Sequence, residues 1–143
     1  MFIPKKQKFR KHHLPRLQGR TTRGDVLAYG TYGLKAAGRR WVSSRQLEAA
    51  RRAMTRYFKR GGKSWIRIFP DNPITDKGGE VGMGKGKGPV ERYVSAVKPG
   101  TILIEMDGVT EDIAREALRL AGSKLPMKTQ FIRKAQRQSH EAS

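Results

Sequence analysis

The sequence predicts an α+β fold: a small mixed or antiparallel sheet with two packed helices, an extended basic N-terminal arm and a long glycine-rich loop. Two segments have the apolar spacing of amphipathic helices, and short apolar runs bounded by glycine and proline have that of strands. With 143 residues, 36% of them apolar, the chain can bury one modest core. We expect an arm over residues 1–24, one domain over residues 25–134 and a tail over residues 135–143.

The first part of the chain predicts an arm followed by two strands. Residues 1–24 carry eight Lys and Arg and no acidic residue, and their apolar residues follow no period. Such a segment is expected to become ordered on a polyanion. In residues 25–37, loose alternation of apolar residues and glycines predicts two short strands with a turn near residues 30–33.

Residues 43–60 predict the first helix. Ser43 and Gln46 have the spacing of a capping box, and Gly61 is a C-terminal stop of the kind that needs a positive φ. Five residues at helical spacing form one apolar stripe: Leu47, Ala50, Met54, Tyr57 and Phe58. The rest of the surface is almost entirely cationic, with Glu48 as its one acid. RNA contact therefore explains this face better than a solvated surface does.

The middle of the chain predicts a buried strand, a loop and a hairpin. Residues 64–69, SWIRIF, read as a largely buried strand that ends at Pro70. Residues 72–89 hold six glycines and few apolar residues, which predicts a long loop of functional importance. Residues 92–97 and 101–106 read as the two strands of an antiparallel hairpin.

Residues 107–122 predict the second helix. Thr110 is a plausible N-cap, the acids that follow it suit the positive end of the helix, and Gly122 is the expected stop. Its apolar stripe consists of Ile113, Ala114, Ala117, Leu118 and Ala121. Residues 127–132 predict a final short strand.

The charge of the chain is concentrated before Pro70. Residues 1–70 hold 19 Lys and Arg against Asp25 and Glu48, whereas the remainder holds 12 against 10 acids. A surface so basic favours a polyanionic partner, and the planar guanidinium of arginine suits phosphate. Nucleic acid is favoured over a membrane because no face rich in Trp and Leu accompanies the charge. The chain has no cysteine and no signal-peptide pattern, which favours an intracellular protein.

The glycine-rich segment GMGKGKG, residues 82–88, raises the alternative of a nucleotide-binding loop. Gly86 stands where a Walker motif needs Ser or Thr for Mg²⁺, and Pro89 stands where a dinucleotide motif needs glycine. A flexible loop inserted against folded RNA is the favoured interpretation. The loop residues expected near tRNA or rRNA are Met83, Gly84, Lys85, Gly86, Lys87 and Gly88.

An enzyme is disfavoured, and we expect no catalytic residue, cofactor or metal. The histidines lie in the predicted arm and tail, where a general base would lack a fixed geometry. Glu105 and Asp107 fall on a short strand with no basic partner near them in the sequence. No cluster of His, Cys and Asp has the spacing of a zinc site.

Five blocks of the sequence together resemble one family. They are PKKQKFRK (residues 4–11), SSRQLEAARRAMTR (43–56), WIRIFPDNPIT (65–75), GMGKGKG (82–88) and SKLPMKTQF (123–131). In their order and spacing they are similar to the sixteenth protein of the bacterial large ribosomal subunit, over about residues 4–133. The resemblance implies the L10e-like α/β-hammerhead fold and a structural rRNA-binding protein without catalysis. It also implies a position beside the A-site tRNA, with the P-site tRNA as a further candidate, near the peptidyl transferase centre.

The resemblance implies a role in subunit assembly and tRNA accommodation, and a location in the ribosome of the cytoplasm. The partners that it implies are rRNA, tRNA and neighbouring ribosomal proteins. Neither a membrane nor a second copy of the chain is an expected partner. Because the match begins almost at Met1, a bacterial or organelle-encoded protein is expected. The family commonly has arginine before the loop methionine as a hydroxylation target, and Gly82 stands there, so that modification is not expected.

The resemblance places the arm, the arginines of the first helix and the loop on RNA, where the charge and glycine patterns also point. The candidate rRNA-binding residues are Lys5, Lys6, Lys8, Arg10, Lys11, His13, Arg16, Arg20, Arg45, Arg51, Arg52, Arg56, Lys59, Arg60 and Arg67. The main alternative is a nucleic-acid chaperone or regulator that works off the ribosome. A nucleotide-dependent enzyme is the third class.

Overall fold

The computed structural model describes residues 26–58, 61–75 and 90–134. These residues form two helices and seven strands, which confirms the predicted α+β class. In chain order the elements are β1 (Tyr32–Ala36), β2 (Arg40–Ser43), α1 (Ser44–Phe58), β3 (Lys63–Ile66), β4 (Asn72–Thr75), β5 (Val90–Val97), β6 (Ile102–Asp107), α2 (Glu111–Gly122) and β7 (Thr129–Arg133).

The strands form two antiparallel sheets, whereas the sequence predicted one. The four-stranded sheet has the order β3-β6-β1-β7, and Leu34 of β1 lies opposite Ile104 of β6 and Phe131 of β7. The strand β7 confirms the predicted final strand. The three-stranded sheet has the order β2-β5-β4, and Val94 of β5 lies opposite Ser43 and Asn72.

The predicted hairpin of residues 92–97 and 101–106 is wrong, because β5 and β6 belong to different sheets. The turn that follows β5 leads the chain onto β1 instead. The N–H of Gly100 donates to the Ala36 carbonyl at 2.9 Å, and the N–H of Ala36 donates to the Thr101 carbonyl at 2.8 Å. The loop predicted over residues 72–89 is wrong in its first residues, since β4 pairs with β5 and buries Ile74.

Helix α1 begins as its sequence predicts and is described to Phe58, while the last two residues of the predicted helix lie outside the described residues. The N–H of Ser43 donates to Gln46 Oε1 at 3.0 Å, and the N–H of Gln46 donates to Ser43 Oγ at 3.2 Å, which completes the capping box. Gly61 has a φ of 90°, as the predicted stop requires. The stripe residues Leu47, Ala50 and Met54 are fully buried. Tyr57 is 44% exposed in the last turn, so the stripe is shorter than predicted, and the side chain of Phe58 lies outside the described residues.

Helix α2 begins at Glu111, later than predicted, because Asp107 still belongs to β6 and the chain then turns at Gly108 with a φ of 77°. Thr110 is the N-cap, but its side chain makes no capping hydrogen bond. The helix ends at Gly122, as predicted, although Gly122 has no positive φ and Ser123 after it is still in the right-handed helical region. Four of the five stripe residues are buried, and the fifth, Ile113, is 38% exposed.

The core lies between the helix pair and the four-stranded sheet. Helix α2 packs on β1, β6 and β7, and α1 packs on α2, β2 and β5. The cluster includes Leu34, Leu47, Met54, Leu103, Ile104, Met106 and Leu118. Strand β3 pairs only with β6 and forms a sheet edge. For this reason the strand predicted to be largely buried is half-buried, and Phe69 beyond it is 47% exposed.

Candidate nucleic-acid interface

Helix α1 presents an excess of positive charge on its polar side. Arg45, Arg52 and Arg56 are exposed, and Arg51 is partly buried. Glu48 is the one acid of the helix, and it accepts from Arg51 Nε at 3.2 Å and from Arg52 Nε at 3.3 Å. The hydrogen bond from Arg51 holds the pKa of Glu48 below its usual value against the opposing effect of burial. Neither Arg45 nor Arg56 makes an ion pair with a described residue.

Helix α2 carries arginines too, but each of them faces an acid. Arg115 Nη2 lies 3.0 Å from Glu111 Oε1, and Arg119 pairs with Glu116 one turn earlier. The guanidinium of Arg115 also lies 4.4 Å from the centre of the Phe131 ring. The two helices therefore differ in what they offer a polyanion: both arginines of α2 are paired with acids of the same helix, whereas Arg45 and Arg56 of α1 have no acidic partner among the described residues.

The segment that leads from the arm into β1 is not the strand that its sequence predicts. Its backbone N–H groups bind a side chain instead of a neighbouring strand: those of Ala28, Tyr29 and Gly30 donate to Glu105 Oε1 at 2.8, 3.0 and 3.1 Å. A Cβ on Gly30 would lie 2.7 Å from the carbonyl oxygen of Met106, so only glycine permits this close approach. The segment thus lies directly over β6, and its position is fixed by one carboxylate.

Arg67 belongs to this same network. Its Nη1 lies 2.9 Å from Glu105 Oε2 and donates to the carbonyl of Val26 at 3.0 Å. The expectation that Glu105 has no basic partner is therefore wrong, because the pairing of β3 with β6 brings Arg67 beside it. Arg67 was predicted to contact rRNA. In the structure its guanidinium compensates the charge of the buried Glu105 carboxylate.

Glu105 is fully buried and remains ionised. Burial raises the pKa of this carboxyl, but the hydrogen bonds from the three N–H groups and from Arg67 more than offset the burial and hold its pKa below the usual value. A buried carboxylate with four donors is a structural ion, since its oxygens have no access to a substrate. The network fixes residues 28–30 against β6, just before β1 begins.

Many predicted site residues lie outside the described residues. These are the arm residues Lys5, Lys6, Lys8, Arg10, Lys11, His13, Arg16 and Arg20, the helix-end residues Lys59 and Arg60, and the loop residues Met83, Gly84, Lys85, Gly86, Lys87 and Gly88. The ends of the loop are described, because Thr75 pairs with Val90 in the three-stranded sheet. Both ends of the loop therefore start from one pair of adjacent strands.

The structure also exposes cations that the site prediction did not include. Besides Arg115 and Arg119 of α2, they are Arg39, Arg40, Lys63, Arg92, Lys124, Lys128, Arg133 and Lys134. Most of them lie after Pro70, where acids nearly balance the basic residues, so the composition of the segment does not indicate its cations. Arg39 directly precedes β2 and Arg40 is its first residue, and this position before a short apolar run is the signal that places them at a sheet end.

Other kinds of site find no support in the part of the chain that the structure describes. It contains no group of three or more His, Asp or Glu that could hold a metal ion. Neither α1 nor α2 is long and apolar enough to cross a membrane.

An α+β domain whose first helix exposes Arg45 and Arg56 without acidic partners among the described residues has the features of a polyanion-binding protein. The family comparison identifies the polyanion: the family model of ribosomal protein L16p/L10e matches residues 4–132, and the chain belongs to this family. It is therefore a structural constituent of the large ribosomal subunit that binds rRNA, and it is not an enzyme. It works in the ribosome, as the resemblance of its sequence implied.

Proposed function

We propose that this protein holds large-subunit rRNA beside the A-site tRNA, near the peptidyl transferase centre, and supports subunit assembly and tRNA accommodation. In this proposal α1 lies on rRNA phosphates, while the arm of residues 1–24 and the loop of residues 82–88 extend between RNA helices. The observation that carries it is the difference between the two helices: the arginines of α2 are paired with acids, and Arg45 and Arg56 of α1 are not.

The fold supports the roles of the arm and the loop by fixing the points where they begin. The arm continues into residues 28–30, which Glu105 holds against β6. The loop begins and ends at the paired residues Thr75 and Val90. A segment that starts from a fixed point loses less entropy when it binds, which favours its ordering on RNA.

The helix face is tested by two matched double variants. Arg45→Gln with Arg56→Gln removes two uncompensated cations, and Arg115→Gln with Arg119→Gln removes two paired ones. Binding to purified large-subunit rRNA is measured by filter retention at several salt concentrations. We expect the α1 variant to weaken binding and to reduce the slope of log K against log salt by about 1.5, since each phosphate contact contributes roughly 0.7 to 0.9. Equal losses in both variants would refute the assignment to α1.

The position beside tRNA is tested in ribosomes that carry Lys85→Gln with Lys87→Gln. We expect slower accommodation of A-site tRNA in single-turnover kinetics, because two charges near the tRNA backbone are lost. Deletion of residues 135–143 is the control and should leave the rate unchanged. An unaltered rate in the lysine variant would place the loop away from tRNA.

Sedimentation separates this function from that of a chaperone that works off the ribosome. A native lysate is run through sucrose gradients at moderate and high salt, and each fraction is probed for the chain. We expect one copy per large subunit, released only at high salt. A chain found only at the top of the gradient, or as a free oligomer, would favour the chaperone instead.

A further inference from the structure

A groove of about 420 Å³ opens between the three-stranded sheet and the start of α1. Arg40 and Trp41 of β2 line it together with Arg92 and Val94 of β5, and Gln46 of α1 and Pro126 complete its walls. None of these residues was among the predicted RNA contacts. A cavity of this size is large enough for one nucleotide-sized ligand.

The charge of the groove comes from two guanidiniums. Arg40 and Arg92 are exposed, and neither makes an ion pair with a described residue. They belong to neighbouring strands, but Arg40 lies opposite Val97, five residues along β5 from Arg92, so they line different parts of the groove. Each guanidinium suits a separate phosphate of an RNA strand, which it can bind through two parallel hydrogen bonds.

The apolar part of the groove comes from Trp41, Val94 and Pro126. Trp41 is partly exposed, yet its Nε1 atom is shielded from solvent and has no hydrogen-bond acceptor among the described residues. A ligand in the groove therefore reaches the exposed part of the ring and not its N–H. An exposed aromatic ring is a suitable partner for the flat face of a nucleobase.

We infer that this groove holds one unstacked nucleotide of rRNA, with its base against Trp41 and the phosphates on either side of it facing Arg40 and Arg92. The inference rests on the proposed rRNA-binding function and adds a specific subsite to it. A nucleotide fits better than an acidic peptide, because a peptide carboxylate would use the two arginines and leave the indole without a partner of matching shape. Proteins recognise single-stranded RNA in this manner, by stacking bases on aromatic rings.

Fluorescence of Trp41 tests the occupant. The chain has two tryptophans, so Trp65→Phe in the full-length protein leaves Trp41 as the only indole emitter. The emission is titrated with purified large-subunit rRNA, hexauridylate, inorganic phosphate and hexaglutamate. We expect quenching by both RNAs and none by phosphate or hexaglutamate. Quenching by phosphate alone would reduce the groove to an anion site, and quenching by hexaglutamate alone would assign it to an acidic protein segment. Either result would overturn the inference.

The arginine pair is tested against a control of equal charge. Arg40→Gln with Arg92→Gln should abolish the quenching of Trp41 and reduce the salt slope for rRNA by about 1.5. Arg119→Gln with Arg133→Gln removes two arginines outside the groove and should leave the quenching intact. If neither variant changes the quenching while rRNA still binds, the subsite is wrong and the proposed function stands. If the unaltered chain does not bind rRNA, the proposed function itself fails.

Two substitutions of Trp41 test whether an aromatic ring is needed. Trp41→Leu removes the ring and should weaken rRNA binding about five- to 100-fold, the range of one base stacked on an aromatic ring. Trp41→Phe keeps an aromatic ring for stacking and should weaken binding less than Trp41→Leu does. Equal losses in the two variants would show that no base stacks there. If Trp41→Leu does not fold, the arginine variants and the quenching of Trp41 determine whether the groove binds a nucleotide.

Discussion

Replacing Glu105 with glutamine tests whether one buried carboxylate fixes the start of the arm. Glutamine is nearly isosteric and its amide oxygen can still accept from Ala28, Tyr29 and Gly30, which now donate to Glu105 Oε1. Its amide NH₂ group, however, takes the place of the oxygen that binds Arg67 at 2.9 Å. A donor then faces a donor, and the guanidinium of Arg67, whose side chain is only 20% exposed, keeps an uncompensated charge.

The expected cost follows from this geometry. Removing one partner of a buried ion pair destabilises proteins by roughly 3–5 kcal/mol, and the three retained N–H bonds place Glu105→Gln near the lower end, at about 3 kcal/mol. The free energy of unfolding is measured by urea denaturation of the full chain at pH 7. Glu116→Gln is the matched control, because Glu116 is paired with Arg119 at the surface, and it should change the stability little. A loss below about 1 kcal/mol in Glu105→Gln would refute the reasoning.

The pH dependence of the free energy of unfolding tests whether Glu105 is ionised in the folded protein. Because the pKa of Glu105 is lower in the folded protein than its ordinary value of 4.5, its contribution to stability is present above that value and is lost as the pH falls through the folded pKa. The stability difference between the unaltered chain and Glu105→Gln should therefore be full at pH 7 and should narrow below about pH 4.5. A difference that stays constant or widens in acid would show that the carboxyl is protonated in the folded protein.

Three further substitutions test the helices and one turn by urea denaturation and circular dichroism. Ser43→Ala should cost about 1 kcal/mol, since it removes the oxygen that accepts from Gln46, and no loss would show that the capping box is not used. Gly108→Ala should cost more than Gly61→Ala: both glycines have positive φ, but a Cβ at Gly108 lies 2.9 Å from the Gly61 carbonyl oxygen and one at Gly61 meets nothing. Equal losses of stability in the two alanine variants would show that contact with the Gly61 carbonyl oxygen adds nothing to the cost at Gly108. Met54→Asp should abolish the helical signal, because it places a charge at a fully buried position. Arg56→Gln should preserve the signal. If both variants unfold, α1 does not have a buried face at Met54 and a separate exposed face at Arg56.

Features set by neighbouring residues were predictable from the sequence. Ser43 and Gln46 satisfy each other within one turn, so the start of α1 follows from a few adjacent positions. Gly61 has the positive φ that was predicted from its residue type. The buried stripe from Leu47 to Met54 follows from the helical period. The cationic character of α1 was predictable for the same reason, since its exposed positions are the complement of that stripe.

Features set by distant residues were not predictable. Strands β5 and β6 are adjacent in sequence and have suitable patterns for a hairpin, yet β1 pairs with β6 and β2 with β5. Nothing within either strand specifies its partner, so the nearer strand is the default choice. Glu105 is similar: inside the apolar run ILIEMD its role depends on N–H groups about 75 residues earlier in the chain and on Arg67.

The same limit applies to the arginines. An arginine whose acid lies three or four residues away on a helix, such as Arg119 with Glu116, can be recognised as paired from the sequence alone. Arg67 has no acid nearby in the chain, and only the pairing of β3 with β6 reveals that it serves the fold. Arg92 shows the converse, because a nearly neutral stretch conceals a cation at the edge of a groove. Local pairing therefore identifies the cations that the protein uses itself on helices, and strand register must be known before those on sheets can be assigned to RNA.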